Sequence, residues 1–242
     1  MAVTNNGQST QSLQLIDVKN EKVVNSVIIP VSWYGLKFSA DEKFLYASGG
    51  NDNWILKYAI QSGKLILKDS IKLGEKWPTR ISPAGIDIDD AKTCCMWLRK
   101  KITHSTLLTS VQKDPSAKSL KGEAYTCLLS PDKKYVYVSC WGCDKIYIYN
   151  TQVREFSGEI AVGDNPNEIC LSKNGAYLYV ANANDNSVAV ISTSQRKVIE
   201  VLNAALYPNA PSGSTSNGVA LSEDEKLCMS QMQTTIALLS LM

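Results

Sequence analysis

Short runs of alternating aromatic and β-branched residues recur along the chain: Phe44-Leu45-Tyr46-Ala47, Tyr135-Val136-Tyr137-Val138 and Tyr177-Leu178-Tyr179-Val180. Each is preceded by Asp, Asn, Lys or Gly residues that make a tight turn, so each run predicts a half-buried strand. A second polar turn follows every run, at Asn51-Asp52-Asn53, Gly142-Cys143-Asp144 and Asn184-Asp185-Asn186. Beyond it lie another apolar run, a charged turn and a fourth apolar segment such as "KVIEVL". No stretch shows the 3.6-residue period of an amphipathic helix.

The repeat becomes plain when the chain is aligned with itself. "LKFSADEKFLYASGGNDNWILKYAI" (36–60) matches "CLLSPDKKYVYVSCWGCDKIYIYNT" (127–151) and "ICLSKNGAYLYVANANDNSVAVIST" (169–193), with partial copies at "IDIDDAK" (86–92) and "VALSEDEK" (219–226). The register residues Ser39, Asp89, Ser130, Ser172 and Ser222 are 50, 41, 42 and 50 residues apart. Four antiparallel strands in forty-odd residues form a sheet too small to stand alone, with two faces that only neighbouring copies can bury. The expected fold is therefore all-β: a β-propeller of four-stranded antiparallel blades, about four whole and two partial. A tandem β-sandwich, the other arrangement of such strands, fits the regular period less well.

"GDNPNEICLSKNGAYLYVANANDNSVAVI" (163–191) resembles the YVTN-type β-propeller repeat, with its Gly-x-x-Pro start, its Ser-x-Asn-Gly turn and its Tyr-Val-Ala-Asn strand end. The likeness runs through nearly the whole chain as one propeller region, 1–242. It implies a seven-bladed parent that is exported, periplasmic or secreted. The loop "ALYPNAPSGSTSNGVALS" (205–222) is similar to the branch of that family in which a phosphoesterase domain follows the propeller.

Two stretches, 94–118 and 227–242, break the pattern: where the register calls for Leu-Tyr-Val, the chain reads "CMW" and "CMS". Codons for "LCMSQMQTTIALLSLM", read one base over, can spell LYVANADNNCLAVFD, close to the in-frame "LYVANANDNSVAVIS" at 178–192. Codons for the stretch from Cys94 can likewise spell LYVVTKENNSLY. Met and Trp have single codons, which limits free choice in both cases. Both stretches therefore read as out-of-frame copies of the repeat. The N-terminal segment up to Val24 begins at a strand end, so the chain is expected to start and end inside blades.

Composition narrows the chemistry. With 44% hydrophobic and 20% charged residues and a formal net charge of +2, the chain has enough apolar content for a sizeable core. Its dispersed basic residues leave no footprint for nucleic acid. No apolar run reaches the length of a membrane span, and "MAVTNNGQST" lacks the features of a signal peptide. The seven cysteines do not suggest a disulfide framework; "CWGC" (140–143) has redox or zinc spacing, but a second pair is missing, and Cys140 and Cys143 read as two turn thiols.

His104, the only histidine, lies in the first silent stretch, so neither a Ser-His-acid triad nor a multi-histidine metal site is available. Lactonase-type propellers are similar in fold, but no convergent set of carboxylates stands out. No catalytic residue, metal site or cofactor is expected. What remains is the loop face: Trp33, Tyr34, Trp77, Arg80, Trp141, Asn165, Asn167, Asn182, Asn184 and the 206–217 loop. Aromatic and amide groups on loops suit recognition of a protein or small molecule, although covering blade edges and satisfying turns would need the same residues. The expectation is a non-catalytic binding or scaffold module. The alternative is the propeller portion of a hydrolase, phosphoesterase-fused or lactonase-like.

Sequencing the coding DNA with several hundred flanking bases tests the frame reading. Single-base insertions or deletions near residues 93 and 227 are expected; a reading frame that offers no repeat-like phrase when shifted refutes it.

Overall fold

The computed structural model describes residues 1–5, 10–29, 34–49, 53–73, 83–89, 94–99, 104–111, 114–205, 207, 210–211, 216–231 and 236–241. Its described regular structure is entirely β. A first sheet is formed by β1 (Ala2–Asn5), β2 (Ser12–Asp17) and β3 (Lys22–Ile28). Next comes a sheet of β4 (Leu36–Phe38), β5 (Phe44–Ser48), β6 (Trp54–Gln61) and β7 (Lys64–Lys72). The third contains β8 (Pro83–Asp89), β9 (Cys94–Arg99), β10 (His104–Val111) and β11 (Asp114–Lys121).

The fourth sheet is β12 (Ala124–Leu129), β13 (Tyr135–Cys140), β14 (Lys145–Asn150) and β15 (Glu155–Ala161). It is followed by β16 (Pro166–Leu171), β17 (Tyr177–Asn182), β18 (Ser187–Ser192) and β19 (Lys197–Asn203). The last comprises β20 (Gly218–Leu221), β21 (Leu227–Gln231) and β22 (Ile236–Ser240). Within each sheet the strand order follows the chain, and pairing is antiparallel, as in β1–β2–β3 and β12–β13–β14–β15. This is the expected propeller architecture of four-stranded blades, with three-stranded sheets first and last among the described residues. Strand pairing continues through both suspected out-of-frame stretches.

The chain divides into two compact units: Met1–Lys101 with Ser105–Ser119, and Ile102–His104 with Leu120–Met242. In each unit the core lies between sheet faces. In the second, Leu178 and Val180 of β17 meet Ile146, Ile148 and Ile160 of the preceding sheet. Tyr179, between them in sequence, points the other way and packs with Val188, Val190 and Cys228. The two-residue period of a strand thus supplies both faces. In the first unit Leu45, Ala47 and Leu56 pack with Leu13 and Leu15, while Tyr46 and Ile55 pack with Ile86.

The register serine builds one turn four times. Ser130 Oγ donates to Asp132 Oδ1 at 2.6 Å and accepts from Tyr135 N at 3.0 Å. Ser39, Ser172 and Ser222 make the same two bonds, to Asp41 and Phe44, Asn174 and Tyr177, and Asp224 and Leu227. The residue three beyond each serine, Glu42, Lys133, Gly175 or Glu225, has φ between 56° and 71°. The hydroxyl hydrogen bond holds the Asp41, Asp132 and Asp224 carboxyls below their ordinary pKa.

Removing this hydroxyl exposes its worth. Ser130→Ala leaves Tyr135 N without its side-chain partner and should cost about 1–2 kcal/mol in urea unfolding; an unchanged midpoint refutes the assignment of the turn as the organising feature of the blade.

Candidate active site

The first strand of successive blades carries the same irregularity. In β16, Pro166 pairs with Asn182 and Ile169 with Val180, so Asn167 and Glu168 together face one residue of β17. In β12 the corresponding pair is Tyr125-Thr126, and in β8 it is Ala84-Gly85. Such a bulge re-aims the side chains of its extra residues and is favoured beside functional sites. The equivalent residues before β4 and at the start of β20 are Tyr34-Gly35 and Asn217-Gly218, by register with Ser39 and Ser222.

Glu168 departs from this set. Where the other copies have Gly, Gly, Thr and Gly, β16 places a carboxylate. Gly35 shows why the position is usually small: a Cβ there would stand 2.1 Å from the Ala84 carbonyl oxygen. Glu168 is largely withdrawn from water, and desolvation moves its pKa from an ordinary 4.5 up to about 7. Tyr125 lies within the field of this carboxylate. Desolvation first, and the Glu168 charge second, push the phenol up to about 12, so it remains an O–H donor at neutral pH.

Beside Glu168, Asn167 is only 4% exposed and donates through Nδ2 to Asn217 Oδ1 at 2.7 Å. Its Oδ1 is buried without a partner, as is the Oγ of fully buried Ser216. Orphan buried polar atoms are uncommon in native interiors, and Asn182 Oδ1 on the neighbouring β17 is another. The second unit therefore combines a carboxyl whose pKa burial raises, a phenol donor and buried amides on β12, β16 and the segment entering β20. Among the described residues no cluster could hold a metal ion.

The residues expected on the loop face divide into three groups. Trp33, Trp77 and Arg80 lie outside the described residues, as do parts of the 206–217 loop. Trp141, Asn165 and Asn184 come together: Asn165 Nδ2 donates to the Trp141 carbonyl at 2.7 Å, and Asn184 Nδ2 donates to Asn165 Oδ1. Trp141 is 40% exposed. Asn182 is buried and donates to Ser187 Oγ at 2.9 Å, a link inside its own hairpin. Tyr34 is half-buried at the position, by register with Ser39, that Tyr125 occupies before Ser130. Glu168 and Tyr125 were missed. Extending the blade alignment upstream from Ile169 to include residues 167–168 would have exposed Glu168 as the lone acid in a column of small residues.

Cys140 and Cys143 are joined by a disulfide, which corrects the reading of two turn thiols. Spacing alone could not decide this, because a disulfide needs the two Cβ atoms brought together by the turn.

Residues 98–227 match the family described as lactonase, seven-bladed β-propeller. The chain belongs to this lactonase family. No curated protein matches its sequence. Among solved structures it is similar to a functionally unknown protein from Desulfotomaculum acetoxidans, with a TM-score of 0.77, 11% identity, and coverage of 100% of this chain and 75% of the other. A Bacteroides uniformis protein described as a 6-phosphogluconolactonase gives 0.72 and 16%, covering 100% and 78%. The Pseudomonas aeruginosa periplasmic gluconolactonase gives 0.74 and 14%, covering 95% and 74%. At these identities the structural matches establish the fold alone. The family match overturns the expectation of a non-catalytic scaffold and favours the lactonase-like alternative.

Glu168→Gln should isolate the carboxyl's contribution to folding. Because the folded pKa is raised, wild-type stability is full below about 4.5 and declines as pH rises through about 7. The amide variant lacks this decline and should exceed the wild type by up to about 3 kcal/mol at pH 8. Parallel stability-versus-pH curves would show that Glu168 is not buried.

Proposed function

We propose that the chain hydrolyses a lactone, the cyclic ester of a hydroxy acid, with Glu168 as general base. The observation that carries this reading is the poised carboxyl at the β16 bulge, in a chain whose family match is to lactonases. A base is most useful when its pKa lies near the working pH, and partial burial brings Glu168 there.

In the proposed reaction Glu168 accepts a proton from water as the water oxygen attacks the lactone carbonyl carbon. The carbonyl oxygen becomes an oxyanion, which the Tyr125 O–H is suited to stabilise by hydrogen bonding. Collapse of this intermediate breaks the ring C–O bond, and the leaving alkoxide takes the proton back from Glu168. The product is the open hydroxy acid, and the enzyme is restored. Asn167, bonded to Asn217 Oδ1, would brace the Glu168 segment from behind. Trp141, exposed on the turn bonded to Asn165, offers an apolar wall for a sugar ring.

The YVTN-like phrase describes the blade repeat and is compatible with this reading. The phosphoesterase-bearing parent implied by the 205–222 loop finds no support in the family match and is not part of the proposal.

The test uses the purified full chain with glucono-δ-lactone and its 6-phosphate, followed by proton release above the spontaneous rate. Saturable hydrolysis is expected, rising with pH through about 7 as Glu168 ionises. Glu168→Gln should lower kcat by roughly 100-fold or more. No turnover of either lactone, or full activity of the variant, overturns the proposal.

A further inference from the structure

Cys140 ends β13 and is fully buried, while Cys143 is partly exposed on the turn leading into β14. This disulfide turn holds both approaches to the candidate site. On one side Gly122, at φ +93°, passes so close that an added Cβ would lie 2.8 Å from Cys140 Sγ and 3.0 Å from Cys143 Sγ. Gly122 leads within three residues to Tyr125. On the other side, the Trp141 carbonyl accepts Asn165 Nδ2 at 2.7 Å, and Asp144 Oδ1 accepts Asn165 N at 3.0 Å. Asn165 leads directly into Pro166, Asn167 and Glu168.

The reduced state is also provided for. Both sulfurs lie near the Lys121 carbonyl oxygen, Cys140 Sγ at 3.3 Å and Cys143 Sγ at 3.4 Å. The Tyr147 hydroxyl also donates to this oxygen at 3.3 Å, so a thiol formed in place at Cys140 or Cys143 would share an acceptor already within reach.

We propose that Cys140–Cys143 is a thiol–disulfide exchange site whose oxidised form holds the Tyr125 and Asn167-Glu168 segments in working geometry. Its effect on catalysis rests on the lactone-hydrolase reading; its effect on the Asn165 segment does not. The co-reactant is a dithiol. Its thiolate attacks the accessible Cys143 Sγ, the S–S bond breaks, and Cys140 Sγ leaves with the electron pair and takes a proton. The second thiol of the reductant resolves the mixed disulfide and frees Cys143 as a thiol. Two electrons and two protons enter the chain, and the dithiol becomes a disulfide. The turn then loses its covalent closure, and the Asn165 hydrogen bonds loosen with it.

The full-length protein, oxidised or treated with dithiothreitol, is alkylated and digested with trypsin. Peptide 135–145 contains both cysteines and no other. It should take up two labels only after reduction. Hydrogen exchange over 162–170 should accelerate on reduction while circular dichroism stays unchanged, and lactone turnover should fall about fivefold or more. The double variant Cys140→Ser, Cys143→Ser should match the reduced wild type with or without dithiol. Labelling without reductant, or labelling only after the protein is unfolded, overturns the proposal. So does exchange that reduction leaves unchanged. Redox-dependent labelling and exchange without turnover in either state would instead sustain this inference and refute lactone hydrolysis.

Discussion

A sheet of four short strands has two faces, and alternating apolar residues make both of them water-avoiding. Neither face is satisfied until another sheet lies against it. Leu178 and Val180 look one way from β17 and Tyr179 the other, so this one strand contributes to two separate cores. Much of the rest of the structure follows from this demand. It explains the repeat, the short turns and the outer strands: β15 and β19, with fewer buried positions, tolerate the charged residues that β13 and β17 exclude.

Against this apolar background the first strand of a blade is the place for chemistry. Its bulge sets two consecutive residues against one and frees their side chains from strict alternation. The turn at Ser172 sets the start of β17, and with it the pairing that places the bulge at Asn167-Glu168. The scaffold can therefore remain constant while the bulge residues change from Ala-Gly to Tyr-Thr to Asn-Glu. Placing a carboxylate there costs desolvation energy, and that same cost moves its titration into the range useful for acid–base work.

The same economy governs the loop amides. Asn165, at φ 55°, satisfies the Trp141 carbonyl through its side chain, and its own carbonyl accepts Ala183 N at 3.0 Å. It is a tie between turns. Asn182 Nδ2 is likewise spent within its hairpin, while its Oδ1 is buried without a partner. Residues that suggest recognition when viewed as loop composition are, in these instances, occupied in holding the loops.

Blade size, strand order and the repeating serine turn were legible in the sequence, because each depends on residues close in the chain: alternation sets a strand, and Ser-x-Asp with a left-handed residue sets the turn. The disulfide was not, since Cys140 and Cys143 spaced as they are suit thiols, a metal or a bond equally well. Nor was the site. Tyr125, Glu168 and Asn217 lie far apart in sequence, and each is unremarkable beside its neighbours. Only tertiary packing brings the bulges of β12 and β16 beside the start of β20, and only the loss of water there turns an ordinary glutamate into one that titrates near neutrality.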